Sequence, residues 1–364
     1  MAISLRRAVT VAAFLESVSA NILPSFNYGT DKLVLESWIT PSLFENTGDS
    51  GNIRLEWTFC EYQDTDTAKE MLQEHWSTWI TEFDFADIAA EGLNHVRLLI
   101  GYWALPVSLL LPWRLSDSGW HSNRTNIGRS NDIFYKMSSM FADKVDMIEA
   151  LNELSSIYPS HCYHEFIGLK PAGFYGDVAL LAIKEYYYDG YPAVRSNQQR
   201  NALVLIHDAF QDLSYWKDFM CPEDKYDGVA MDIHRHQMFS NAVCPMCQEG
   251  LSLCSFHLWT IVGECTAAPI DCAKYLNGNY FDDSPKFGDC RCKTGSANGF
   301  SKEYKAFLRK YWEAQLVTYE KSTAGYIYWT WKAEFADDWS YQAGLAYGWI
   351  PRNLINRLYP NICG

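Results

Sequence analysis

The chain has 364 residues, of which 48% are hydrophobic and 15% aromatic, with a formal net charge of −14. That length supports one large α/β domain with a sizeable core, and the acidic balance excludes the basic, phosphate-binding surface of a nucleic-acid partner. No run of about 20 apolar residues is present, which excludes a membrane-spanning helix.

The N-terminus carries Arg6 and Arg7, a short apolar run over 8–15 and the small-residue ending Val18-Ser19-Ala20. That pattern predicts a signal peptide over 1–20, leaving 21–364 as the mature chain. Eleven cysteines and the sequon Asn123-Arg124-Thr125 suit the same oxidising, secretory route. The first predicted strand is 33–36. A helix over 81–90 follows, with Thr81 and Asp84 spaced as a capping box and Gly92 as its stop. Further strands are predicted over 96–100, 147–151, 203–206, 228–232, 259–263 and 326–329. A helix over 302–319 starts at Ser301 and sets Tyr304, Phe307, Leu308, Tyr311 and Trp312 on one face. No repeat or flexible linker interrupts this alternation, so a single domain with a parallel sheet is expected. About seven strands in one unbroken domain point to a closed (β/α)8 barrel.

The strand ends carry the chemistry. Glu36, Arg97, Asn152 with Glu153, Asp208, His234 and Glu264 all fall at or just after predicted strand C-termini. In a parallel barrel those ends converge on the active site, and a doubly wound sheet would gather a ligand at the same edge. Two carboxylates, Glu153 and Glu264, each follow an apolar strand. Such a pair is the machinery of retaining glycoside hydrolysis, one group donating a proton to the leaving oxygen and the other attacking the anomeric carbon. The many aromatic rings, including 14 Trp and 23 Tyr, either fill the core or offer flat platforms to sugars. Cys244-Pro245-Met246-Cys247 has zinc-ligand spacing but lacks a second clean pair. Neither metal nor cofactor is assigned.

Ordered motifs cover nearly the whole chain after Leu33. They are Leu35-Glu36-Ser37-Trp38-Ile39-Thr40-Pro41, His75-Trp76-Ser77-Thr78-Trp79, Gly92-Leu93-Asn94-His95-Val96-Arg97, Asp208-Ala209-Phe210-Gln211, Val262-Gly263-Glu264, Tyr328-Trp329-Thr330-Trp331-Lys332 and the ending Tyr359-Pro360-Asn361-Ile362-Cys363. As a set the sequence resembles the fungal exo-β-1,3-glucanases of glycoside hydrolase family 5. The resemblance implies a secreted or cell-wall enzyme, monomeric and without a cofactor, that releases glucose from the non-reducing ends of β-1,3-glucan. By position it implies Glu153 as acid/base, Glu264 as nucleophile, and Arg97 as the group that keeps the nucleophile ionised. It also implies that Asn152 contacts the substrate 2-hydroxyl, Glu36 binds the terminal glucose and His234 is an active-site histidine. Trp331 or Trp329 would floor the sugar site, with Phe210 and Phe239 at its entrance. Cys272 would pair with Cys290, and Cys254 with Cys363.

The chain also departs from that family. Leu154 replaces a proline after Glu153, Cys265 replaces a tryptophan after Glu264, and His236 stands where the family has a tyrosine. His236 is expected to donate a hydrogen bond in its place. No Leu-His-Gly motif occurs between Gly101 and Glu153, so a barrel with a truncated or replaced third β/α unit is expected, and 107–111 is the candidate substitute strand. These losses define the rival reading, a β-glucan-binding protein on the same scaffold that has lost turnover.

Overall fold

The computed structural model describes residues 40–48, 53, 59–60, 62–97, 135, 147–149, 180–196, 203–236, 253, 256–270, 272–274, 290–291 and 293–363. The signal segment, the strands expected at 33–36 and 107–111, the sequon, and Glu36, Asn152, Glu153, Phe239 and Cys254 lie outside the described residues.

Among the described residues five strands form one parallel sheet in chain order: β1 (Met147–Glu149), β2 (Leu203–His207), β3 (Val229–Arg235), β4 (Trp259–Cys265) and β5 (Gly325–Tyr328). Their neighbours in the sheet are their neighbours in the sequence. Among the described strands the order therefore never reverses, as it does at the switch point of a doubly wound sheet. β2, β3 and β4 are buried along nearly their whole length, the continuous apolar pattern of a parallel strand covered on both faces. Each of the five overlaps a sequence expectation. The strand expected over 96–100 is described only at Val96 and Arg97, which carry no regular structure.

Among the described residues the α-helices are α1 (Pro41–Glu45), α2 (Thr65–Thr78), α3 (Glu82–Ala90), α4 (Leu180–Arg195), α5 (Lys302–Ser322) and α6 (Tyr341–Tyr347). The expected caps explain two starts. Asp84 reaches back to the Thr81 N–H at 2.9 Å, and Ser301 Oγ accepts the Tyr304 N–H at 3.1 Å. Gly92 follows α3 at φ +83°, a left-handed turn that suits glycine. One expectation for α5 is corrected. Tyr304, Leu308, Tyr311 and Trp312 are buried, but Phe307 is 41% exposed and stacks on Tyr311 at the surface, ring centroids 5.8 Å apart. It sits at the edge of the apolar stripe, where the helix has already turned away from the sheet.

One sheet face, with Ile206, Met231, Ile233, Val262, Cys265 and Tyr328, packs with Leu308, Trp312, Leu316 and Tyr319 of α5 and with Ile183 and Tyr186 of α4 in the main core. The opposite face holds a smaller cluster of Leu205, Ala230 and Ile261. Cys272 and Cys290 are joined by a disulfide, and Cys363 is also disulfide-bonded.

The loop from β5 to α6 contains a buried acid with a measurable signature. Asp338 is fully buried and takes a hydrogen bond on Oδ2 from Tyr304 Oη at 3.4 Å. Its Oδ1 has no hydrogen-bond partner among the described residues. Burial pushes its carboxyl up to about 8 from 3.8. The folded protein thus holds a proton that the unfolded chain has released, so this group's stabilisation is full below pH 4 and is lost as the pH rises toward 8. Asp338→Asn is expected to gain thermal stability relative to wild type progressively over that window. Equal differences in midpoint at pH 4.5 and pH 8 would contradict it.

Candidate active site

The C-terminal ends of β2, β3 and β4 place His207, Asp208, Asp232, His234, His236 and Glu264 together. Registry aligns them: His207 pairs with Asp232, and His234 with Glu264. On β3, residues Ala230, Asp232 and His234 alternate onto the face opposite the helices. Glu264 reaches the same face only through an irregularity. Ile233 pairs with Val262, but the next pair is His234 with Glu264, so Gly263 is an extra residue in β4. The β4–β5 ladder steps at the same place, from Val262↔Tyr326 to Cys265↔Tyr328. Without this bulge, strict alternation would put Glu264 on the side of Val262, inside the helix-packed core. The bulge turns it toward Asp232 and His234.

The site around Glu264 is closely built. Glu264 is 2% exposed. Arg97 Nη1 donates to its Oε1 at 2.8 Å, and His236 Nε2 lies 3.0 Å from Oε2. His234 Nδ1 is 3.5 Å from Oε1, and its Nε2 is 3.4 Å from Asp232 Oδ2. Asp232 Oδ1 accepts the Gly263 N–H at 2.7 Å, and Arg97 Nη2 lies 3.8 Å from Oδ2. A buried guanidinium between two carboxylates offsets charges that would otherwise be costly to desolvate. Burial alone would raise the Asp232 carboxyl, but His234 and Arg97 hold it down to about 2. Next door, burial pushes the Asp208 carboxyl up to about 6 against the pull of Arg235, whose Nη1 is 3.5 Å away. Burial and the adjacent Glu264 charge also raise the Cys265 thiol, which faces the core and is chemically quiet.

The other predicted site residues divide. Phe210 is half-buried, with its ring edge-on to His207 at 5.0 Å and to His234 at 6.4 Å. Trp329 directly follows β5 beside the site and is buried, 6.0 Å from the His236 ring and 4.9 Å from Trp339. Trp331 is equally buried but belongs to the main core, its Nε1–H donating to Asp84 Oδ1 at 2.9 Å and its ring stacked on Tyr341. Lys332 joins the same carboxylate at 3.0 Å, so Asp84 ties the start of α3 to the loop after β5. Sequence reasoning gave no role to His207 or Trp339. The signal for His207 was its place as the last residue of an apolar strand, directly before Asp208.

No family model matches the chain. Individual proteins do. It is 35% identical over 376 residues to the glucan 1,3-beta-glucosidase of Blumeria graminis, covering 91% of this chain and 87% of that protein. It is 34% identical over 388 residues to glucan 1,3-beta-glucosidase I/II of Saccharomyces cerevisiae, covering 91% and 86%. It is 33% identical over 383 residues to the glucan 1,3-beta-glucosidase of Candida oleophila, covering 91% and 89%.

Proposed function

Because the chain belongs to the fungal glucan 1,3-beta-glucosidase family, we propose that it is a retaining, exo-acting β-1,3-glucan hydrolase that frees glucose from non-reducing ends. The observation that carries this reading is the buried Glu264 carboxylate, held on one oxygen by Arg97 and approached on the other by His236. That arrangement supports an ionised, oriented nucleophile. In the first step Glu264 attacks the anomeric carbon, the glycosidic C–O bond breaks, and Glu153 gives its proton to the departing oxygen. In the second, Glu153 takes a proton from water, whose oxygen displaces Glu264 from the sugar.

Asn152 holds the substrate 2-hydroxyl and Glu36 the terminal glucose. Trp329 floors the sugar, and Phe210 and Phe239 flank the entrance. We place the active site at the mouth of a single (β/α)8-barrel domain spanning 21–364 with a truncated or replaced third unit. The unreversed order of five parallel strands supports this architecture. The protein acts as a monomer in the secretory pathway or the cell wall, a setting in which the Cys272–Cys290 disulfide is stable.

The test is glucose release from laminarin, followed by proton NMR for the anomer formed first, with Glu153→Gln as control. β-Glucose appearing first, and lost in the control, is the expected result. α-Glucose first would overturn retention. A folded protein that binds laminarin without releasing glucose would instead be a glucan-binding protein.

A further inference from the structure

We propose that His207 is a positioning residue for the Glu264 carboxylate, acting through His234; the proposal rests on the reading of Glu264 as nucleophile. His207 is completely buried at the end of β2 and has no part in the steps described above. Its ring is fixed from several sides. The Ala209 N–H donates to its Nδ1 at 3.0 Å. An imidazole nitrogen that accepts a hydrogen bond carries no proton, so His207 is neutral and holds its proton on Nε2. Its backbone is pinned by one side chain: its N–H donates to Tyr187 Oη at 3.1 Å, and Tyr187 Oη donates to its carbonyl at 2.9 Å.

The turn that follows is built around this ring. Ala209 and Phe210 both take left-handed backbone angles, φ 51° and 55°, which cost energy for residues with a Cβ. Three bonds hold them there: Ala209 N–H to His207, Phe210 N–H to Asp208 Oδ1 at 2.8 Å, and Trp216 Nε1–H to the Asp208 carbonyl at 2.9 Å. The turn brings the Phe210 ring against one side of His207, while His234 packs edge-on to it with centroids 4.5 Å apart. His234 is the imidazole that spans Asp232 and Glu264. A neutral ring locked against it fixes its plane without adding positive charge. The left-handed turn is therefore a device for aiming His234, and through it Glu264.

Two substitutions separate the ring from the turn. In His207→Asn, Oδ1 accepts the Ala209 N–H but the ring against His234 is gone. In His207→Phe the ring stays and the acceptor is lost. For His207→Asn on laminarin the expected result is a kcat about tenfold lower or worse with KM within about twofold, at a thermal midpoint near wild type. His207→Phe is expected to lose more thermal stability and less turnover per folded molecule. The His234 imidazole NMR signals, independent of turnover, are expected to shift in His207→Asn. A His207→Asn enzyme with kcat within about twofold of wild type would overturn the proposal. So would unchanged His234 signals in that variant, whether or not the wild type hydrolyses glucan. A wild type without hydrolysis would sink the proposed function alone.

Discussion

Glu264→Gln is expected to lower laminarin hydrolysis by roughly 10⁴-fold or more while the protein stays folded and still binds the glucan. The substitution keeps the shape of the side chain and removes only its charge and nucleophilicity. The fold tolerates this because Arg97 retains a second anion, Asp232, 3.8 Å away. A buried guanidinium left with no anion at all would be far costlier, about 3–5 kcal/mol. Some thermal stability is lost with the 2.8 Å charge-assisted bond between Arg97 and Glu264, so turnover must be expressed per folded molecule. Activity above a tenth of wild type would remove Glu264 from the nucleophile role. Hydrolysis and binding lost together would mean that the substitution had collapsed the site, and a crystal structure of the variant would then show how.

Gly263→Ala is expected to have the next largest effect, although it adds a single methyl group. A Cβ at 263 would lie 2.1 Å from Asp232 Oδ1 and 2.3 Å from Oδ2, far inside contact distance. The carboxylate cannot easily swing aside, because it accepts the Gly263 N–H and faces His234 and Arg97. Either Asp232 moves and loses these partners, or β4 moves and takes Glu264 with it. Overpacking of this kind costs about 1–3 kcal/mol, and a nucleophile displaced by about 1 Å loses on the order of 100-fold in turnover. Thermal unfolding and laminarin kinetics on one preparation check both consequences. A variant matching wild type in both would show that the bulge absorbs the methyl group and that the position of Asp232 is not critical.

Much of the scaffold was legible from local chemistry. The apolar runs of β2, β3 and β4, the capping groups Thr81 with Asp84 and Ser301, and the stop at Gly92 each act within a few residues. Their consequences follow from the chain itself. Arg97, His234, His236 and Glu264 were recognisable through their motifs and their places at strand ends. They meet within one buried site.

Phe307 shows where the helical pattern misled. Its spacing suits the buried face of α5, but how far an apolar stripe is covered depends on what packs against it, and there it reaches solvent.

That this is an α/β chain with parallel strands, which strand ends carry charge, and which family it belongs to can all be read without the fold. Those properties reside in periodicity, caps and motifs. Which way the charges point depends on how the strands pair. The extra residue at Gly263 puts Glu264 on the face of Asp232, and that is a property of pairing between strands far apart in sequence. Both tryptophans are buried, and only their partners separate Trp331, bonded to Asp84 in the main core, from Trp329 beside His236. The role of His207 likewise exists only where β2, β3 and α4 meet, because a ring aims its neighbour through contact, and contact is made by the fold.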